Sequence, residues 1–102
     1  ASTSAPVLLA HFDASHTADY LATARRLRAA GISCEVFPDS RPLGKQLKYA
    51  DRKGFRLVII AGVDEFAAGN WQLKDLVSGQ QHEVSNNDLV ETLEETLAES
   101  SR

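Results

Sequence analysis

Five consecutive apolar residues, Leu57-Val58-Ile59-Ile60-Ala61, stand between Arg56 and Gly62. A strand with one wet face alternates apolar and polar side chains. A run without alternation fits a strand covered on both faces, the place of a central strand in a sheet packed between helices. The flanking residues agree with that position. Upstream, residues 42–54 read as a helix. Pro42 suits a first helical turn, where its missing N–H is no loss, and Gly54 supplies a stop. At about 100° per residue, Leu43, Leu47 and Ala50 share one narrow stripe, and Arg41, Lys45, Lys48 and Arg52 share another on nearly the opposite side. The helix is expected to bury the first stripe and to offer the second to solvent as a row of positive charge. Downstream, Gly62 leads into an acidic turn, Asp64-Glu65.

The rest of the chain completes the same pattern. Residues 7–12 form an apolar run and a first strand. Residues 16–30 carry Tyr20, Leu21, Ala24 and Leu27 at helical spacing and end before Gly31. Residues 32–37 alternate as a strand with a partly apolar outer face. Residues 70–77 and 80–84 are read as a hairpin joined by the two-residue connection Ser78-Gly79. Ser85 then caps a last helix whose buried stripe is Leu89, Val90, Leu93 and Leu97, with Asp88 as a variant of the capping box. Strands joined through helices lie parallel by right-handed crossovers. The expected fold is therefore α/β: a five-stranded mixed sheet, three parallel βα strands plus a β-hairpin, flanked by three helices. Ligands of open α/β sheets bind at the carboxyl ends of the strands. That rim collects Asp13, residues 39–41 and residues 62–65.

The chain has 102 residues, enough for one core. Its longest apolar run is far short of the ~20 residues that cross a bilayer, and no signal peptide is evident. The opening Ala-Ser-Thr-Ser-Ala-Pro reads as a linker or cloning remnant, with the domain itself at 7–102 and cut from the C-terminal part of a longer protein. The single Cys34 excludes an internal disulfide and fits a reducing, cytoplasmic setting. The net charge of −3 does not announce nucleic-acid binding, but its distribution is lopsided. Residues 41–56 hold six cations against Asp51, whereas residues 83–102 hold six anions against Arg102. That asymmetry fits a polyanion site on the basic helix, and it equally fits two solvated helix faces of opposite sign.

Catalytic signatures are missing. No phosphate-cradling GxxxxGK[ST] occurs, and Gly44-Lys45 is an isolated pair within a helix pattern. His11, His16 and His82 lack metal-ligand spacing and read as surface or strand-end residues. Cys34 alternates with Ile32 and Val36, so it reads as core. A phospho-receiver domain shares the βα pattern but needs an aspartate at the end of the third strand, where this chain has Ala61-Gly62. No nucleophile, base and orienting group come together, and no metal or cofactor is implied.

Binding is better supported. The stripe of Arg41, Lys45, Lys48 and Arg52 could meet phosphates, contacts that position a nucleic acid without reading it. Reading unpaired bases takes hydrogen-bonding side chains, often with stacking groups. Glu65 can accept from a base amino group. Gln72 and Lys74 share one face of their strand, with Trp71 and Leu73 on the other. Trp71 is assigned to the core, and Phe66 and Tyr49 are the more exposed stacking candidates.

The segment LGKQLKYADRKGFRLVIIAGVDEFAAGNWQLKDLVSGQQHEVS resembles the C-terminal anticodon-binding domain of class II aminoacyl-tRNA synthetases, the histidyl branch above all. The likeness runs over residues 7–97 and is most specific over residues 45–76. Related prolyl, threonyl and glycyl enzymes tend to have Val-Arg where this chain has Leu73-Lys74. Ala61 and Trp71 depart from the usual pattern without touching the presumed site. The resemblance implies binding of a tRNA anticodon stem-loop. By matching position, Glu65 and Lys74 would contact anticodon bases, and Lys45 and its neighbours would lie near the loop. It also implies a separate catalytic domain in a homodimeric parent enzyme, with no activation of histidine by this chain. A second possibility is a synthetase-derived regulatory or dimerisation module that no longer binds tRNA, a role the acidic last helix would suit.

Overall fold

A computed structural model describes residues 6–100. The proposed linker therefore lies almost wholly outside the described residues. The chain runs β1 (Val7–Leu9), α1 (Thr17–Ala29), β2 (Cys34–Val36), α2 (Leu43–Lys53), β3 (Leu57–Ile60), α3 (Val63–Ala68), β4 (Asn70–Asp75), β5 (Gln81–Ser85) and α4 (Leu89–Ser100). Single 3-10 turns precede α1 and α4. The sheet order is β2-β1-β3-β4-β5. β1 lies parallel to both β2 and β3, and β3-β4 and β4-β5 are antiparallel.

This order settles where the helices go. The chain steps from β1 outward to β2, then back past β1 to β3. Right-handed crossovers in opposite directions put α1 and α2 on opposite faces of the sheet. The core divides accordingly. On one face Tyr20, Ala24 and Leu27 of α1 and Leu89 and Leu93 of α4 pack on Val7, Leu9, Leu57, Ile59, Trp71 and Leu73. On the other, Leu43, Leu47, Tyr49 and Ala50 of α2 pack with Leu8, Val58 and Ile60. β3 is buried throughout, as an unalternating run demands.

Three expectations needed correction. The acidic turn is a short helix, α3, so four helices flank the sheet and not three. Its start is fixed by Glu65, whose Oε1 accepts from the Gly62 N–H at 2.7 Å. Second, the hairpin does not turn on Ser78-Gly79 alone. Asp75 N–H donates to Gln80 O at 2.9 Å, which leaves residues 76–79 in the loop. Asp75 Oδ1 accepts from the N–H groups of Val77 and Ser78 and shapes that loop, with Gly79 at φ 79°. Third, Arg41 precedes α2 and is not part of its cationic stripe. The C-terminal stop at Gly54 is as expected, with φ 83°.

Candidate nucleic-acid interface

Three loops meet at the carboxyl ends of the parallel strands, and buried polar side chains tie them together. Gln46, on α2, is fully buried. Its Nε2 donates to His11 O and to Arg41 O, both at 2.8 Å, and its Oε1 accepts from His11 N–H at 2.7 Å. One amide thus clamps the loop after β1 to the loop after β2. Tyr20 does the same between β1 and β3. Its hydroxyl donates to Ala61 O and accepts from Asp13 N–H, and burial pushes its pKa up. His11 is buried, not a surface residue, with its ring nitrogens against Phe37 O and Thr17 Oγ1. Asp13 accepts from Ser15 and caps the turn before α1. Those hydrogen bonds, the Ser15 hydroxyl first, lower its pKa. The grouping of Asp13, residues 39–41 and residues 62–65 on one rim is therefore what the fold produces.

The α2 side of the sheet is only half covered. α2 overlies β1 and β3, and its Tyr49 ring packs edge-on to Phe37 beyond β2, with centroids 5.1 Å apart. On β4 the residues that share this face are Gln72, opposite Ile60, and Lys74, opposite Val58. Their partners on β5 are Glu83 and Gln81. Trp71 and Leu73 go to the opposite core, as alternation requires. The β4–β5 wing is thus a polar shelf beside α2.

The expected site residues divide between these parts. Lys45, Lys48 and Arg52 are exposed on the outer surface of α2, away from Gln46 and Ala50. Arg41 is exposed in the preceding loop, where its guanidinium holds both oxygens of Asp39 at 2.9 and 3.3 Å. That pairing lowers the pKa of Asp39 and raises that of Arg41. Gln72 and Lys74 are half-buried on the shelf, and Glu65 is half-buried at the rim. Neither stacking candidate is free. Phe66 is covered by the His16 ring, stacked at 4.1 Å, and abuts Trp71. Tyr49 is held between Phe37 and Phe55.

Sequence reasoning passed over two residues that shape the rim. Gln46 sits at the edge of the apolar stripe, and its helical spacing with Ala50 was the available signal. Phe12 falls at the end of the expected first strand, yet β1 ends at Leu9, and Phe12 emerges 46% exposed. On the α1 side, Arg26, Trp71 and Asn86 line a cleft of about 300 Å³ that shares Glu65 with the rim. There Arg26 and the Trp71 indole both donate to Asn86 Oδ1. Cys34 is buried with its thiol pKa raised by desolvation, as a core residue should be. Among the described residues, no helix is long and apolar enough to cross a membrane, and no group of three or more His, Cys, Asp or Glu is placed to hold a metal ion.

Comparison with known proteins places these features in context. Residues 6–96 match the family described as Anticodon binding domain. Histidine–tRNA ligase of Rhodopirellula baltica is 47% identical over 79 residues, covering 78% of this chain and 18% of that protein. Histidine–tRNA ligase of Xanthomonas oryzae pv. oryzae is 44% identical over 93 residues, covering 91% and 20%. The crystal structure of histidyl-tRNA synthetase from Nostoc sp. PCC 7120 superposes with a TM-score of 0.90 at 39% identity, covering 93% of this chain and 23% of that one. The chain spans about a fifth of the length of these relatives.

Proposed function

The chain belongs to the anticodon-binding domain family, in the form carried by histidine–tRNA ligases, and from that premise we propose that it binds the anticodon arm of a tRNA, histidine tRNA in the first instance. The observation that carries the reading is a juxtaposition of the α2 side of the sheet with its rim. A helix with an exposed cationic surface stands beside an uncovered polar shelf, and an acidic residue stands at the rim where both begin.

Lys45, Lys48 and Arg52 meet phosphates and set the register of the arm, with Arg41 assisting from the loop. Unpaired bases then turn toward the shelf and the rim, where Gln72, Lys74 and Glu65 offer a mixed set of donors and acceptors to their edges. Glu65 commits Oε1 to the Gly62 N–H. A carboxylate has a second oxygen and further lone pairs for a base amino group. The domain does no chemistry of its own in this reading. It presents the tRNA so that the 3′ end reaches a separate catalytic domain of the parent synthetase, a homodimer working in the cytoplasm.

Titration of the chain with a labelled histidine anticodon stem-loop tests this, beside a hairpin of scrambled loop, at low and physiological salt. Tighter binding to the cognate loop that weakens with salt is the expected outcome. Replacing Lys45 and Lys48 together with alanine should weaken both hairpins alike, and Lys74→Ala should erase the preference between them. Equal binding to both loops by the unaltered chain would refute anticodon reading. A regulatory or dimerisation role would then take its place.

A further inference from the structure

A site that holds unpaired bases needs a flat apolar surface as well as hydrogen-bonding edges. Stacking on aromatic rings contributes much of the affinity of proteins for single strands. The two aromatic residues that composition put forward, Phe66 and Tyr49, are covered by other rings. Among the described residues the exposed large apolar side chains are Phe12, Leu21, Val63 and Val77, so Phe12 is the one aromatic of that set.

The position of Phe12 is more telling than its exposure. Its backbone carbonyl accepts from Ser40 Oγ at 3.3 Å, which joins it to the loop that leads into α2. Its neighbour His11 is held by Gln46 of α2. The ring itself lies against Gly62. A Cβ at residue 62 would stand 3.0 Å from Phe12 Cε2 and 3.4 Å from Glu65 Oε1. The ring and the Glu65 carboxylate therefore flank the same point. Ile60, two residues before Gly62, faces α2 and pairs with Gln72. Gly62 lies two residues beyond the end of β3, at the rim of the sheet. Phe12 thus stands at the rim, beside Gly62 and tied through its main chain to the loop that leads into the cationic helix.

We propose that Phe12 is the stacking platform for one unpaired anticodon base whose edge is read by Glu65. This rests on the anticodon-binding reading above and deepens it, since that reading names groups for phosphates and base edges but none for a base face. The occupant is a nucleobase because a hydrogen-bonding carboxylate flanks the same glycine as the ring, and the main chain of Phe12 is tied to the loop that leads into the cationic helix. Gly62 lets the ring lie this close: a Cβ there would stand tighter than ordinary contact, and the ring would have to give by a few tenths of an ångström.

The test places a fluorescent purine analogue at each anticodon position of the histidine stem-loop in turn and titrates the chain into it. The expected result is strong quenching at one position only. Phe12→Ala should abolish that quenching and weaken binding about tenfold, with the slope against salt unchanged because no charge is lost. Phe12→Trp should restore both. Phe12→Leu, which keeps apolar bulk and removes the aromatic face, should behave as the alanine variant; an unchanged thermal midpoint shows that its fold is kept. Wild-type affinity and quenching in a folded Phe12→Leu protein would overturn the stacking role while leaving anticodon binding in place. Failure of the unaltered chain to bind either hairpin would overturn both.

Discussion

Gln46 makes three hydrogen bonds from a fully buried amide, all to main-chain groups of two other loops. Removing it leaves the N–H and carbonyl of His11 without partners in a buried place, and the Arg41 carbonyl in a partly buried one. Each such orphan costs about 1–3 kcal/mol. Gln46→Leu, nearly the same size, is expected to destabilise the chain by about 3 kcal/mol in urea denaturation, because packing is kept and only the clamp is removed. Glu65 allows two jobs to be separated. Its carboxylate caps a helix of six residues, and caps of this kind are worth about 1 kcal/mol. Glu65→Ala is expected to lower stability by about that amount. Glu65→Gln retains an oxygen for the Gly62 N–H and so should leave stability nearly unchanged. It should nevertheless lower the preference for the cognate anticodon loop, because the amide presents a different edge to the base. A loss of preference in Glu65→Ala alone would mean that Glu65 acts only through the helix.

At the scale of elements, β3 and β4 are pinned at the end of the sheet opposite the rim. Arg56 Nε and Nη2 donate to the two oxygens of Asp75, both at 3.0 Å, across the antiparallel pair. The pair is mostly buried, with side-chain exposures of 23% and 16%. The guanidinium, assisted by the Val77 and Ser78 N–H groups, holds the Asp75 carboxyl at about 2. A carboxylate whose folded pKa is depressed stabilises the fold above its unfolded pKa of about 3.9 and loses that contribution as pH falls toward the folded value. Acid unfolding is therefore expected to steepen between about pH 4 and pH 2. Arg56→Ala should flatten that segment and cost about 1–2 kcal/mol at neutral pH, allowing for partial solvent screening. Overlaying unfolding free energies of the two proteins against pH checks this. The same pair shows where sequence reasoning stopped. The unalternating strand, the stop at Gly54 and the amphipathic α2 were legible because each is set by local periodicity and one glycine. The four-residue hairpin loop was not, since it is shaped by Asp75, which reaches forward to the loop N–H groups while paired with Arg56 of another strand. α3 escaped notice because its cap, Glu65 on Gly62, lies inside what reads as a turn.

Charge is organised on the scale of the whole molecule. The cationic surface of α2 and the acidic α4 lie on opposite faces of the sheet, in a body measuring 37 × 28 × 24 Å. The cationic row was legible from spacing alone, but that the sheet would stand between it and the acidic helix emerged only from the crossover geometry. That separation decides whether α4 opposes RNA binding. At physiological salt the Debye length is about 8 Å, shorter than the path from α4 through the sheet to α2. Charge on α4 is then screened from RNA lying on the α2 side. At about 0.01 M salt the Debye length is about 30 Å and spans the molecule. Replacing Glu91, Glu94 and Glu95 with glutamine is therefore expected to leave affinity for the anticodon stem-loop unchanged at physiological salt and to raise it several-fold at low salt. Replacing Lys45, Lys48 and Arg52 with alanine should weaken binding at both, and should reduce the slope of log affinity against log salt by about 2, at ~0.7 for each phosphate no longer neutralised. Arg41→Ala should change the slope less, since Asp39 already neutralises that guanidinium. Titrations at a series of salt concentrations measure all three slopes. An effect of the α4 glutamates at physiological salt as large as that of the α2 cations would place RNA across both faces, and the polar shelf would no longer be its seat.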